Sequence, residues 1–124
     1  MIDAAEALAD YRRRYPGLPP GPQSRFYRQL DPELIRCTIR PATAEAWLQS
    51  HFYSLQARQI LLEISSRYAA IMEAGRWEDR GDDDPVVIHA IANRGGRIVW
   101  NGAHRLGAVI LLGRPFALPI RFCR

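Results

Sequence analysis

The segment Asn101-Gly102-Ala103-His104-Arg105 combines residue types that bind phosphate groups when they lie at the start of a helix. The β-branched run from Arg97 to Trp100 predicts a strand before it. Asn101-Gly102 predicts a turn and helix N-cap, and the apolar residues that follow predict a helix ending at Gly113. His104 and Arg105 would then lie in the first helical turn, where the helix dipole is positive and basic side chains are unfavourable. A bound anion, most simply a phosphate, would account for this arrangement.

Each residue of this turn has a candidate role in binding phosphate. Gly102 would let the backbone approach the anion, or would simply form the turn, and the two roles are compatible. Arg105 would clamp the phosphate with its forked guanidinium; the alternative is an ion pair within the protein. His104 could donate to a phosphate oxygen or act as acid and base; the alternative is a hydrogen bond that holds the turn. Asn101 and Ala103 complete the predicted phosphate-binding set.

Two residues outside the turn are further candidates. Arg58, on a predicted long helix, could reach the same anion from the side, or could lie on a solvated helix face. Glu73 is a second catalytic candidate, in addition to His104, because it could act as a general base. The alternative is a surface residue, which a single glutamate near a helix end usually is. Four acidic residues, Asp79, Asp82, Asp83 and Asp84, could hold Mg²⁺ with a nucleotide, or could form a solvated loop. We predict no protein-bound metal site. We expect Trp77 to pack in the core, and the alternative is that it stacks on a nucleobase.

The elements that must position these residues form a small α+β domain, with a mixed sheet and flanking helices. We expect residues 1–22 to form an N-terminal helix and a proline-rich arm, and residues 23–124 to form the domain. Thr43 is expected to cap a short helix, and Pro119 suggests an edge or irregular position for the last strand. The predicted helices are Asp3–Tyr15, Thr43–Leu48, Leu55–Ala74 and the helix before Gly113; the strands are Leu34–Arg40, Val86–Ile91, Arg97–Trp100 and Phe116–Phe122. The apolar row of the long helix, expected to face the core, is Ile60, Leu61, Ile64, Tyr68, Ile71 and Met72.

Composition narrows the function classes. The chain has 124 residues and a formal net charge of +4, and all 17 of its basic residues are arginines, which excludes a P-loop lysine and a Schiff-base lysine. A basic chain permits nucleic-acid binding without establishing it. The sequence has no apolar run long enough to span a membrane and no signal-peptide pattern at its start, so we expect no membrane partner and a cytoplasmic location.

The turn also carries a family resemblance. From Ile39 onward the chain resembles the superfamily that joins the N-terminal domain of the ParB partition proteins to sulfiredoxin, whose signature is a strand, Gly-x-x-Arg and a phosphate-binding helix. Sulfiredoxin has Gly-Cys-His-Arg at this place, so His104 and Arg105 match, while Ala103 replaces the cysteine and its thiol chemistry is not expected.

Within this superfamily the chain is most similar to small stand-alone bacterial and phage proteins with an Asp-Gly-Gln-His-Arg core. Two positions depart from this core, since Asn101 replaces the Asp and Ala103 replaces the Gln. The matching pieces, in order, are Pro41-Ala42-Thr43-Ala44, Arg58, Met72-Glu73-Ala74-Gly75-Arg76-Trp77, the hairpin from Val86 to Trp100, and Asn101 to Arg105.

The resemblance implies binding of a nucleotide, ATP or CTP, with or without Mg²⁺. If the protein is an enzyme, the implied class is a nucleotide phosphohydrolase or phosphotransferase. The alternative is a nucleic-acid-binding or regulatory module, in which the turn holds a DNA or RNA backbone phosphate and Arg12 to Arg14 add a basic arm. A third alternative is a site that has lost its ligand. The sequence leaves the oligomeric state open.

Overall fold

A computed structural model describes residues 1–15, 33–79 and 83–123. Within these residues it has an α+β fold, as predicted, with four helices and a mixed four-stranded sheet. The proline-rich segment 16–22 and the expected boundary at residue 22 lie outside the described residues. The helices are α1 (Ala4–Arg14), α2 (Pro41–Trp47), α3 (Leu55–Glu73) and α4 (Ala103–Leu112), the strands are β1 (Glu33–Ile39), β2 (Val86–His89), β3 (Val99–Asn101) and β4 (Phe116–Cys123), and a 3₁₀ turn covers Gln49–His51.

The sheet has the strand order β1-β4-β2-β3. Strand β4 pairs antiparallel with β1 and parallel with β2, and β2 pairs antiparallel with β3. The last strand is therefore central, and the edge position suggested by Pro119 is wrong for the strand as a whole. The proline is tolerated because β2 pairs only with Ile120 to Cys123, so Pro119 lies in the part of β4 whose only strand neighbour is β1.

Helix α1 begins after Asp3, one residue later than predicted, and the Asp3 carboxylate accepts a hydrogen bond from the Glu6 N–H. The arginines in its last turn bond to groups within the protein. Arg14 forms ion pairs with Asp10 and with Glu33 at the start of β1, and Arg12 donates to the Ala90 carbonyl at 3.1 Å. These contacts fasten the end of α1 to the sheet.

The capping role expected of Thr43 is wrong. Helix α2 begins at Pro41, and Arg40 is its N-cap residue without any side-chain cap. Proline suits the first helical position because its φ is already close to the helical value and its missing N–H has no helical partner there. The helix therefore starts two residues after β1 ends at Ile39.

Helix α3 buries only part of its predicted apolar row. Leu61 and Met72 are buried, together with Ser65, while Ile60, Ile64, Tyr68 and Ile71 stay exposed. The buried line is narrow because α3 packs closely against α4 at two small residues. A Cβ atom on Gly107 would lie 2.3 Å from the Ser65 Oγ. The prediction was therefore wrong for four of the six residues.

Candidate functional site

The turn from β3 into α4 has free hydrogen-bond donors. Gly102 is the N-cap residue, with φ +93°, and it has no side-chain cap. The first helical bond runs from the Leu106 N–H to the Gly102 carbonyl. Among the described residues, the N–H groups of Ala103, His104 and Arg105 therefore have no hydrogen-bond partner, as expected for an uncapped helix start.

Close packing fixes the position of this turn against β2. A Cβ atom on Gly102 would lie 2.8 Å from the Val86 Cγ2 and 3.2 Å from its Cα, so only glycine fits. The Asn101 amide donates to the Asp84 carboxylate at 2.8 Å and to the Pro85 carbonyl at 2.9 Å. The segment before β2 and the turn before α4 therefore hold each other in place.

Arg105 completes this connection. Its guanidinium donates to the Asp84 carbonyl at 2.5 Å, and at 3.4 Å to both the Asp84 carboxylate and the Pro85 carbonyl. Only 12% of its side chain is exposed. The structure thus shows the alternative considered for Arg105, an ion pair within the protein, and the guanidinium forms one wall of the turn.

Two clefts open at this turn and share Tyr68, Asp84 and Arg105 in their linings. The smaller, of about 140 Å³, is also lined by the other four residues of the predicted turn, Asn101 to His104. The larger, of about 290 Å³, is also lined by Trp77, Glu78 and Asp79. The pair is called the turn cleft below. It joins the free N–H groups to an aromatic wall and to several carboxylates.

The aromatic wall is an ordered stack. The Tyr68 ring lies parallel to His104, with a 10° angle between the planes and 6.5 Å between the centroids. Trp77 meets Tyr68 edge to face at 5.7 Å, and its indole N–H donates to the Asp79 carboxylate at 2.7 Å. Asp79 in turn pairs with Arg36 of β1. The segment after α3 is therefore anchored beside the turn, and its Trp77 indole lines the cleft next to Tyr68 of α3.

His51 interacts electrostatically with His104 of the turn, a proximity that was not predicted from the sequence. Burial lowers the pKa of His51, and the charges of Arg97 and His104 lower that pKa further. Its Nδ1 is buried and has no hydrogen-bond partner among the described residues. His51 is therefore held neutral near the basic residues of the turn.

The structure places the other two candidates elsewhere. Arg58 pairs with Glu45 of α2 at 2.9 Å and lies over the Phe52 ring. Glu73 pairs with Arg114 at 3.3 Å, and both side chains are exposed. Neither Arg58 nor Glu73 lines the turn cleft. Of the predicted site residues, the structure thus brings together the five from Asn101 to Arg105.

The sequence analysis did not predict Tyr68, Trp77 or Glu78 among the site residues, and it considered Asp79 and Asp84 only as members of an acidic run that could hold Mg²⁺. Tyr68 and Trp77 were assigned to the core because their spacing fits an apolar helix face and a buried loop anchor. Asp84 is one of several acidic residues in that run, and only its position two residues before β2 distinguishes it. A signal that could have found Asp84 is its place next to a strand that runs beside the turn.

Comparison with known proteins gave no relative: no protein-family model, curated protein or solved structure matches this chain. Among the described residues, no helix is both long and apolar enough to cross a membrane. The same residues contain no group of three or more histidine, cysteine, aspartate or glutamate side chains that could hold a metal ion. Function must therefore be argued from the turn cleft itself.

Proposed function

We propose that the turn cleft binds a nucleotide, with its phosphates at the start of α4. The observation that carries this proposal is a set of three N–H groups, at Ala103, His104 and Arg105, which have no hydrogen-bond partner in the described part of the chain and lie beside an aromatic wall. Helix N-termini attract phosphate through such N–H groups and through the helix dipole. The resemblance to ParB-like and sulfiredoxin-like domains, which rests on Gly102, His104 and Arg105, supports the same proposal.

The aromatic residues supply a surface for the nucleoside. Tyr68 and Trp77 line the cleft next to the turn, and both are large planar groups. A nucleobase can stack on such a ring whichever base it is. We therefore assign the base to the Tyr68 side of the cleft and the phosphates to the His104 side.

The carboxylates favour a nucleotide that arrives with Mg²⁺. Glu78, Asp79 and Asp84 line the cleft, and their negative charges would repel a bare polyphosphate. A divalent cation between phosphate and carboxylate oxygens would offset that repulsion, because Mg²⁺ is usually bound by one or two carboxylates together with substrate phosphates. ATP or CTP with Mg²⁺ is therefore the proposed ligand.

If a reaction follows binding, hydrolysis or transfer of a phosphate group is the class that fits. His104 is the exposed titratable side chain beside the free N–H groups, so it is the group placed to accept or donate a proton. Glu73 is paired with Arg114 outside the cleft and has no part in this proposal. Positioning and charge stabilisation would supply most of the rate enhancement.

A pair of variants at His104 tests binding without disturbing the fold. His104→Glu places a negative charge in the first turn of α4, which suits the helix dipole but repels phosphate. His104→Gln, the matched control, removes the imidazole without adding charge. We expect calorimetry to show nucleotide binding to the wild type and to His104→Gln, and none to His104→Glu.

A thermal-shift screen of ATP, CTP and GTP, with and without Mg²⁺, gives a second readout. A ligand that binds only the folded state stabilises it by about 2.7 kcal/mol at a hundredfold excess over Kd. No stabilisation of the wild type by any nucleotide would contradict the proposal. Binding of DNA or RNA that weakens steeply with salt would instead favour the nucleic-acid alternative.

A further inference from the structure

Four large apolar side chains form a row on the outer face of α3. Ile60, Ile64, Tyr68 and Ile71 are 50, 48, 36 and 38% exposed. Their spacing of four, four and three residues keeps them on one side of the helix over about 16 Å. We call them the α3 row. Monomeric proteins rarely expose a contiguous apolar surface of this kind without a partner for it.

The row borders a groove with one acidic and one basic residue. Glu63 and Arg67 line this groove of about 570 Å³ together with Ile64, Tyr68 and Ile71. Within the described part of the chain, neither Glu63 nor Arg67 has an ion-pair partner, although four residues separate them on the helix; Glu63 accepts only a hydrogen bond from Gln59. The face therefore combines an apolar row with two opposite, unpaired charges on one flank.

The α3 row and the charges of Glu63 and Arg67 form a surface that is complementary to a second copy of itself. When two identical helices pack antiparallel about a twofold axis, the same flank of each helix faces its counterpart. If the twofold axis crosses the outer face of α3 at the level of Ser65, Glu63 of one copy faces Arg67 of the other. The reverse pair forms at the same time. The same register brings Ile60 near Ala70 and Ile71 of the second copy, and the two Ile64 residues together near the axis.

From this arrangement we infer that the protein self-associates through α3, as an antiparallel twofold dimer. The α3 row forms the apolar centre, and two symmetric Glu63–Arg67 ion pairs fix the register. The inference does not depend on nucleotide binding. Tyr68 lines both the groove and the turn cleft, whereas the turn residues from Asn101 to Arg105 do not line the groove.

Charge reversal tests both the interface and its register. We expect Glu63→Arg alone to raise the dimer dissociation constant about tenfold or more, because two attractions become two repulsions. Arg67→Glu alone should do the same. The double variant Glu63→Arg/Arg67→Glu should restore association, because the pairs re-form with their charges exchanged. Sedimentation equilibrium over a range of protein concentrations measures all four proteins.

Two further variants separate the row from general effects. Ile64→Ser should also weaken association, because it removes apolar area at the axis. Ile91→Ser removes an apolar side chain that is 41% exposed but lies outside α3 and outside the groove lining, so it should have little effect. Circular dichroism and thermal melting establish that each variant is folded. A wild type that stays monomeric at millimolar concentration would overturn the inference, as would association unaffected by Glu63→Arg and Ile64→Ser.

Discussion

Arg105 holds the backbone of Asp84 from across the turn, with its guanidinium 2.5 Å from the Asp84 carbonyl oxygen. The two residues belong to segments that meet only because α4 begins beside β2. Asn101 donates to the same Asp84 carboxylate, so the segment before β2 is bound twice. This connection, rather than a bound anion, accounts for the burial of a basic side chain in the first turn of a helix. It also makes Arg105 an unsuitable residue for testing ligand binding.

We therefore expect Arg105→Lys to destabilise the fold. An ammonium keeps the charge but lacks the fork that bonds the Asp84 and Pro85 carbonyls together, so about 1–3 kcal/mol should be lost. Urea unfolding at neutral pH measures this change. Arg114→Lys is the matched control, because the Arg114–Glu73 pair is exposed and such pairs contribute about 0–1 kcal/mol. Equal losses in the two variants would contradict the structural role of Arg105.

A glycine pair tests how closely the turn approaches β2. Gly102 and Gly113 both have positive φ, +93° and +71°, but a Cβ atom on Gly113 would meet nothing within 4 Å. Gly113→Ala should therefore cost about 1–2 kcal/mol, the penalty for a left-handed backbone alone. Gly102→Ala should cost about 1–3 kcal/mol more, because its methyl group overlaps Val86. Thermal unfolding of both variants gives the difference, and similar melting temperatures would rule out the close approach.

The local part of this site could be predicted from the sequence, and its partners could not. The turn, the start of α4 and its end at Gly113 depend on residues adjacent in the chain, whose types favour those conformations. The partners of Arg105 lie twenty residues away, where nothing in the acidic run singles out Asp84. The sequence analysis left two roles open for Arg58, contact with the anion or a place on a solvated helix face, and the structure pairs it with Glu45 of α2. Tertiary neighbours of this kind leave no periodic pattern in the sequence.

The exposure of the α3 row also depends on tertiary contacts that the sequence pattern does not reveal. Helical spacing identifies which residues share a side of α3, but the buried line is set by where α4 can approach. That approach needs Gly107 opposite Ser65, and it buries a serine in preference to Ile64. A pattern that counts only apolar residues cannot detect a contact between two small ones.

This contact predicts an unusual effect for a helix substitution. Alanine normally stabilises a helix interior over glycine by about 1 kcal/mol. At Gly107 we expect alanine to destabilise the protein instead, by about 1–3 kcal/mol, because its methyl group would overlap the Ser65 Oγ and Leu61 Cδ2.

A double-mutant cycle with Ser65→Ala checks the cause of this effect. Removing the Ser65 hydroxyl leaves more room, so Gly107→Ala should cost less in the Ser65→Ala background than in the wild type. Urea unfolding of the four proteins gives the coupling energy. Additive effects would show that the helices do not meet at these two residues.

The last prediction concerns the pH dependence of stability. Burial raises the pKa of the Cys37 thiol to about 11 from an ordinary value near 9, and the charges of Asp3 and Glu33 add to the effect. The unfolded chain thus releases this proton at lower pH than the folded protein does. The contribution of Cys37 to stability is therefore complete below about pH 9 and is lost as the pH rises through 11, by about 3 kcal/mol in all.

Cys37→Val isolates this contribution, because it keeps an apolar side chain in β1 and removes the ionisable group. The difference in unfolding free energy between wild type and variant should be constant below about pH 9 and should shift in favour of the variant at higher pH. Urea titrations from pH 7 to about 11 measure it, since the variant cancels the titration of the remaining groups. A difference that stays constant up to pH 11 would mean that the thiol ionises alike in both states, and that Cys37 is less shielded from water than its complete burial in the sheet indicates.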